Sequence, residues 1–175
     1  MLLSALPQGA LNWASRGRVG QFDWDFKGCP HTGGGLATTL GRKSLHAVVW
    51  TGATAAQGLH HLSSRDGGAT WNKKTVRLGS QDARHADIMA AHDGRLVAAW
   101  DQLEGSRRLV YVAHSLDDGE NWSVPRRVSA ADVDAVYPRV VSAGRGFLVL
   151  WTENKTGGVN VMKTVAYHAQ RSAAQ

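Results

Sequence analysis

Several short segments put polar side chains beside apolar, strand-forming runs. Residues 83–87 read ARHAD, residues 137–140 read YPRV, residues 100–102 read WDQ, residues 151–153 read WTE and residues 31–35 read HTGGG. An arginine presents a planar fork of donors that matches a carboxylate through two parallel hydrogen bonds. Arg84 and Arg139, with His85 and His31, are therefore candidates for binding an anionic ligand. Asp87, Asp101 and Glu153 bring the opposite charge, and they either pair with these arginines in a structural network or belong to the chemistry of a site. No metal site is expected. His31, His85 and the adjacent His60 and His61 have no zinc-ligand spacing, and neighbours along one strand point to opposite faces. Asp66 and the pair Asp117 and Asp118 lack a convergent ligand set. Gly33, Gly34 and Gly35 permit close approach of a ligand or of neighbouring backbone. No helix follows them to make a phosphate-binding loop, and no cofactor is expected.

The elements that must position these residues repeat. Residues 63–71 read SSRDGGATW and residues 115–122 read SLDDGENW, so Ser-x-Asp-x-Gly-x-x-Trp occurs twice, with 51 residues between Trp71 and Trp122. Trp50, Trp100 and Trp151 end the runs LHAVVW, RLVAAW and FLVLW at nearly the same interval. Each unit reads as four short strands by alternation and turn residues. The second unit has ADIMAAH, RLVAAW after Asp93-Gly94, RLVYVAHS, and WSVPRRV after the box. The first has GGLATTL, LHAVVW, GLHHLSS and WNKKTVRL, and the third has PRVVSAG, FLVLW and VNVMKTVAYH without a fourth. LNWASRGRV resembles the strand that follows a box, placed after a decayed turn.

A period near 50 with four antiparallel strands predicts an all-β chain, a β-propeller of four-stranded blades with about three blades present. The expected division is an outer strand plus linker over 1–27, blades over 28–79 and 80–130, and a three-stranded blade over 131–175. Three blades are fewer than a closed ring needs. The chain is then expected to be a fragment of a longer propeller, or one half of a dimer in which the Trp13 strand completes the partner's last blade.

Within the box, Ser64, Asp66 and Gly68, like Ser115, Asp117 and Gly119, suit a tight turn held by side-chain to backbone bonds. Trp71 and Trp122 supply large rings to bury between sheets. The reading is structural. These two segments resemble the Asp-box, or bacterial neuraminidase repeat, of sialidase-like propellers, and FKGCPHTGGG is similar to a Gly-Cys-Pro stretch of bacterial sialidase-like proteins.

The resemblance implies a carbohydrate-related function, as glycan binding or exo-sialidase-type glycoside hydrolysis in the complete protein, with the boxes on the face away from the site. Such enzymes clamp a sugar carboxylate with three arginines and use a tyrosine activated by a glutamate as nucleophile and an aspartate as acid/base. By face, the resemblance offers Arg84 and Arg139 for the clamp, Tyr137 with Glu153 as the pair, and Asp101 or Asp87 as the acid. The family's early Arg-Ile-Pro segment is absent, a third clamp arginine has no counterpart, and this chain alone is expected to show no sialidase turnover. The alternative is a non-catalytic propeller serving as a scaffold for protein binding or assembly.

Composition narrows the classes. A chain of 175 residues, 43% hydrophobic, supports one domain. Cys29 is the single cysteine and has no disulfide partner within the chain. The net charge of +6 is scattered along the chain, so a nucleic-acid site is not expected. No apolar run reaches the roughly 20 residues of a membrane-spanning helix. The first residues lack the charged start and long apolar middle of a signal peptide, although the resemblance implies a family often secreted or periplasmic. Compartment is not fixed by these features.

Overall fold

A computed structural model describes residues 1–22, 32–39, 44–154 and 158–170. Thirteen strands build antiparallel sheets among these residues. The first is a hairpin of β1 (Leu2–Ala5) and β2 (Ala14–Arg18). Next come β3 (Gly34–Thr39), β4 (Ser44–Thr51), β5 (Gly58–Ser64) and β6 (Val76–Leu78), laid side by side in chain order. The second four-stranded sheet holds β7 (Arg84–Ala90), β8 (Leu96–Glu104), β9 (Arg107–Ser115) and β10 (Arg126–Arg127). A three-stranded sheet of β11 (Asp134–Ala143), β12 (Gly146–Asn154) and β13 (Val161–Tyr167) completes the set.

The sheets stack as propeller blades. First strands are neighbours, β3 against β7 and β7 against β11. Alternation along each second strand feeds two interfaces at once. In β8, Ala98 and Trp100 join Val48, Trp50 and Leu59 of the first blade, while Val97 and Ala99 join Val149 and Trp151 of the third. In β4, Ala47 and Val49 pack with Leu62, Val19 and Leu3 beneath the hairpin.

Two details depart from the sequence reading. LNWASRGRV is expected to be a lone outer strand, but the strand begins at Ala14 and pairs with Leu2–Ala5, a stretch with no repeat partner to reveal it. The tryptophan beat also slips by one. Ser64 pairs with Leu45 and Ser115 with Leu96, so the box sets a 51-residue step, which makes Val49 rather than Trp50 the counterpart of Trp100. A one-residue offset exchanges the faces of a strand. Trp50 accordingly points forward and meets the backward-pointing Trp100 in one core cluster, while Trp151 lies in the next.

Candidate functional site

The two Ser-x-Asp-x-Gly-x-x-Trp turns have nearly identical wiring. Ser64 Oγ donates to Asp66 Oδ1 at 2.7 Å and accepts the Gly68 N–H at 2.9 Å, and Asp66 accepts the Thr70 N–H at 2.9 Å. Ser115 donates to Asp117 at 2.8 Å, accepts from Gly119 at 2.9 Å, and Asp117 accepts from Asn121 at 2.9 Å. The Thr70 hydroxyl, followed by the Thr70 N–H, holds the Asp66 carboxyl down to about 2. These groups are consumed by the turn itself. The indole N–H groups of Trp71 and Trp122 are buried without a partner among the described residues, so their rings contribute area rather than hydrogen bonds.

Packed under the second turn is a polar network that the sequence did not announce. His46 Nδ1 meets His61 Nε2 at 3.2 Å, and His46 Nε2 meets Asp118 Oδ1 at 3.2 Å. Ser44 donates to Asp118 Oδ2 at 2.8 Å. With Nε2–H of His46 given to the carboxylate, its Nδ1 is the acceptor for Nε2–H of His61, and His61 Nδ1 is left as a buried lone pair without a partner. Burial pushes His61 down to about 3, with His46 adding to the shift and Asp118 opposing it. His60 turns the other way, to the Ala56 carbonyl at 2.7 Å, as expected for adjacent strand positions.

The box turns and the other polar residues occupy opposite ends of the blades. Along β8, Leu96 faces Ser115 of the box, and five residues later Asp101 faces Arg84. At about 3.3 Å per residue the two ends are roughly 17 Å apart. At the far end, fully buried Asp101 gathers three donors: Arg108 Nη1 reaches Oδ1 at 2.7 Å, while His85 Nδ1 at 2.7 Å and the Tyr137 N–H at 3.1 Å reach Oδ2. Facing a carboxylate, which only accepts, Nδ1 of His85 carries the ring proton. Nε2 of the neutral ring is then an acceptor with no partner among the described residues. The rings of His85 and Tyr137 lie 4.4 Å apart at 51°.

Backbone geometry singles out the same pair. Gly35, Asp87 and Arg139 pair with Val48, Ala99 and Leu150 at equivalent points of the three blades. Two residues upstream of each stand Gly33, His85 and Tyr137, with φ of 46°, 49° and 56°. The fold demands a left-handed residue there, and glycine meets the demand without strain. For a histidine and a tyrosine the same conformation costs on the order of 1–3 kcal/mol each. Asp118 (φ 62°) is the third such non-glycine residue among those described, and it anchors the buried histidine network.

The remaining candidates are more settled. Arg84 lays its guanidinium 5.8 Å from the Trp50 ring, with its Nε buried and unpartnered among the described residues. Arg139 donates to its neighbour's Pro138 carbonyl at 3.2 Å. Asp87 accepts the Val140 N–H at 2.9 Å, which ties the second blade to the third. Glu153 accepts the Trp151 indole N–H at 3.2 Å, the same two-residue reach that Gln102 makes to Trp100 at 3.0 Å. The structure thus brings Tyr137 to His85 rather than to Glu153. Arg108 and Asp134, whose Oδ1 accepts the Arg108 N–H at 2.7 Å, belong to the Asp101 cluster, and sequence reasoning missed both. His31 and Cys29 lie outside the described residues. Among the described residues no group of three or more potential ligands can hold a metal ion, and no helix is long and apolar enough to cross a membrane.

No protein-family model matches the chain, and no curated protein matches it in sequence. Solved structures do resemble it. An α-L-arabinofuranosidase of Fusarium graminearum in complex with an iminosugar inhibitor superposes at a TM-score of 0.54 and 14% identity, over 69% of this chain and 40% of that one. An α-L-arabinanase of Penicillium chrysogenum complexed with arabinobiose gives 0.54 and 14%, over 79% and 50%. A Hadza microbial sialidase gives 0.53 and 14%, over 75% and 30%. These neighbours are β-propeller glycoside hydrolases, and the likeness shows the propeller fold. The chain spans half or less of each of these three structures.

Proposed function

We propose that the chain is part of a sialidase-like propeller whose two box turns are Asp-boxes, and that it binds a carbohydrate at the blade ends opposite those turns. One observation carries the reading. His85 and Tyr137 occupy a left-handed position that the first blade fills with glycine, and they meet there over a buried Asp101. Structural neighbours that are glycoside hydrolases support a carbohydrate as the ligand class. Binding is favoured over turnover, because Asp101 has both oxygens engaged by donors and Tyr137 lies against His85 rather than Glu153. A carboxylate engaged at both oxygens is poorly placed to exchange a proton with a substrate. Arg84 and Arg139 flank the pair and are proposed as secondary contacts to the ligand. Titration of the purified chain with arabinobiose and with a methyl sialoside, followed by NMR, tests the reading. Binding at millimolar concentration with no hydrolysis of fluorogenic glycosides is expected. Turnover that Tyr137→Phe abolishes would instead make Tyr137 a nucleophile.

A second reading, a scaffold that docks protein, rests on β13. Among the described residues this strand pairs only with β12, and Met162 on it is 70% exposed. A strand from a second copy or another protein can add to such an edge. Light scattering decides the second-copy form: a dimer weakened by Met162→Lys supports it, and a monomer at micromolar concentration removes it.

A further inference from the structure

We propose that His85 and Tyr137 form a platform selective for a neutral, hydroxyl-bearing sugar, in which His85 Nε2 accepts a ligand hydroxyl and the Tyr137 ring stacks on the sugar's apolar face. The inference rests on the carbohydrate reading above and specifies its ligand class.

Three features point to it. The first is the direction of the imidazole. Asp101 is buried, and its oxygens are occupied by Arg108, His85 and the Tyr137 N–H. That arrangement keeps the proton of neutral His85 on Nδ1 and presents a lone pair at Nε2, which suits a hydroxyl and disfavours a carboxylate. Asp101 is the positioning residue. The second is the exposure of Tyr137. The residue is 53% exposed and its ring lies against that of His85, so one amphipathic ring stands ready for stacking. The third is the shared left-handed backbone. Gly33 shows that the left-handed turn itself forms at this position without a side chain. Strain kept at two equivalent positions, with both side chains brought into contact, is the pattern of a ligand site.

The cation bonded to Asp101 is already committed. Arg108 is occupied by Asp101 and by the Asp82 carbonyl, Arg84 lies against Trp50, and Arg139 donates to Pro138. A carboxylated sugar would have to compete with Asp101 for Arg108, whereas a neutral one leaves that ion pair intact.

The test uses the intact chain, a neutral methyl arabinofuranoside, a neutral methyl galactopyranoside and an anionic methyl sialoside. Affinity is read by titration, and the imidazole tautomer by long-range nitrogen–proton NMR. The expected result is that a neutral glycoside binds at least tenfold more tightly than the sialoside and shifts the Nε2 resonance of an Nδ1–H tautomer. His85→Ala and Tyr137→Gly should each weaken that binding at least tenfold. Tyr137→Gly should do so with an unchanged or raised melting temperature, because glycine relieves the left-handed strain while its N–H still reaches Asp101. Asp101→Asn should broaden or reverse the tautomer signature wherever the variant folds. Preference for the sialoside, or neutral binding that neither His85→Ala nor Tyr137→Gly alters, overturns this inference and leaves the carbohydrate reading standing. Failure of wild type to bind any of the glycosides overturns both.

Discussion

Acidification from pH 7 to pH 5 is expected to destabilise the fold through His61, by an amount that its burial sets. In the unfolded chain this imidazole titrates near 6.5, and in the folded chain burial holds it near 3. Between those values the unfolded state carries a proton that the folded state refuses. Stability is therefore complete above about 6.5 and falls as the pH drops towards 3. Each pH unit in that window costs about 1.4 kcal/mol per group, so the interval from 6.5 to 5 costs about 2 kcal/mol. The loss corresponds to roughly 4–8 °C of melting temperature in a chain of this size. His46, also pushed down by burial against the pull of Asp118, adds in the same direction. The physical cause is visible in the wiring: a proton added at Nδ1 of His61 would be a buried donor with no acceptor, beside His46 and in edge contact with the Trp122 ring at 5.0 Å. Thermal melts at pH 7 and pH 5, for wild type and for His61→Gln, measure the effect. Each protein is compared with its own value at pH 7, so the baseline cost of the substitution cancels. The variant should lose several degrees less than wild type. An equal loss in both proteins would refute the argument.

Substitutions at four further positions have expected outcomes. Gly119→Ala should lower stability by roughly 2–4 kcal/mol, since φ is 86° and the new Cβ would stand 2.4 Å from His61 Cε1. Gly105→Ala, at φ 60° with open space around it, should cost only about 1 kcal/mol, and urea unfolding separates the two. Glu153→Gln should be neutral to about 0.5 kcal/mol because Gln102 performs the same task for Trp100, whereas Glu153→Ala strands the Trp151 indole and should cost about 1–3 kcal/mol by the same assay. Ser115→Ala removes the donor to Asp117 and the acceptor for Gly119, and should cost about 1–2 kcal/mol without changing the proposed glycan binding, followed by titration.

The repeat was legible because its signals are local. A box of eight residues fixes a turn by itself, and a 51-residue step fixes which sheets recur. What stayed hidden depends on register or on distant partners. Trp50 keeps the sequence beat yet faces the opposite way from Trp100, because one residue in a strand exchanges faces. The fourth strands WNKKTVRL and WSVPRRV shrink to Val76–Leu78 and Arg126–Arg127, where pairing to the third strand is short. Of the candidate site, ARHAD, WDQ and YPRV were readable as blade-end segments, and His85, Asp101 and Tyr137 do meet. The tyrosine's partner was not readable. A left-handed tyrosine follows no propensity, and the approach of Arg108 to Asp101 depends on how β9 returns beside β8. His46, His61 and Asp118 were invisible for the same reason, since 72 residues separate His46 from Asp118.

Chemical-shift mapping of the labelled chain during titration with a neutral methyl glycoside tests the proposed ligand site most directly. The account predicts shifts concentrated at Arg84, His85, Asp101, Tyr137 and Arg139. Shifts concentrated instead at the box turns, residues 64–71 and 115–122, would contradict it.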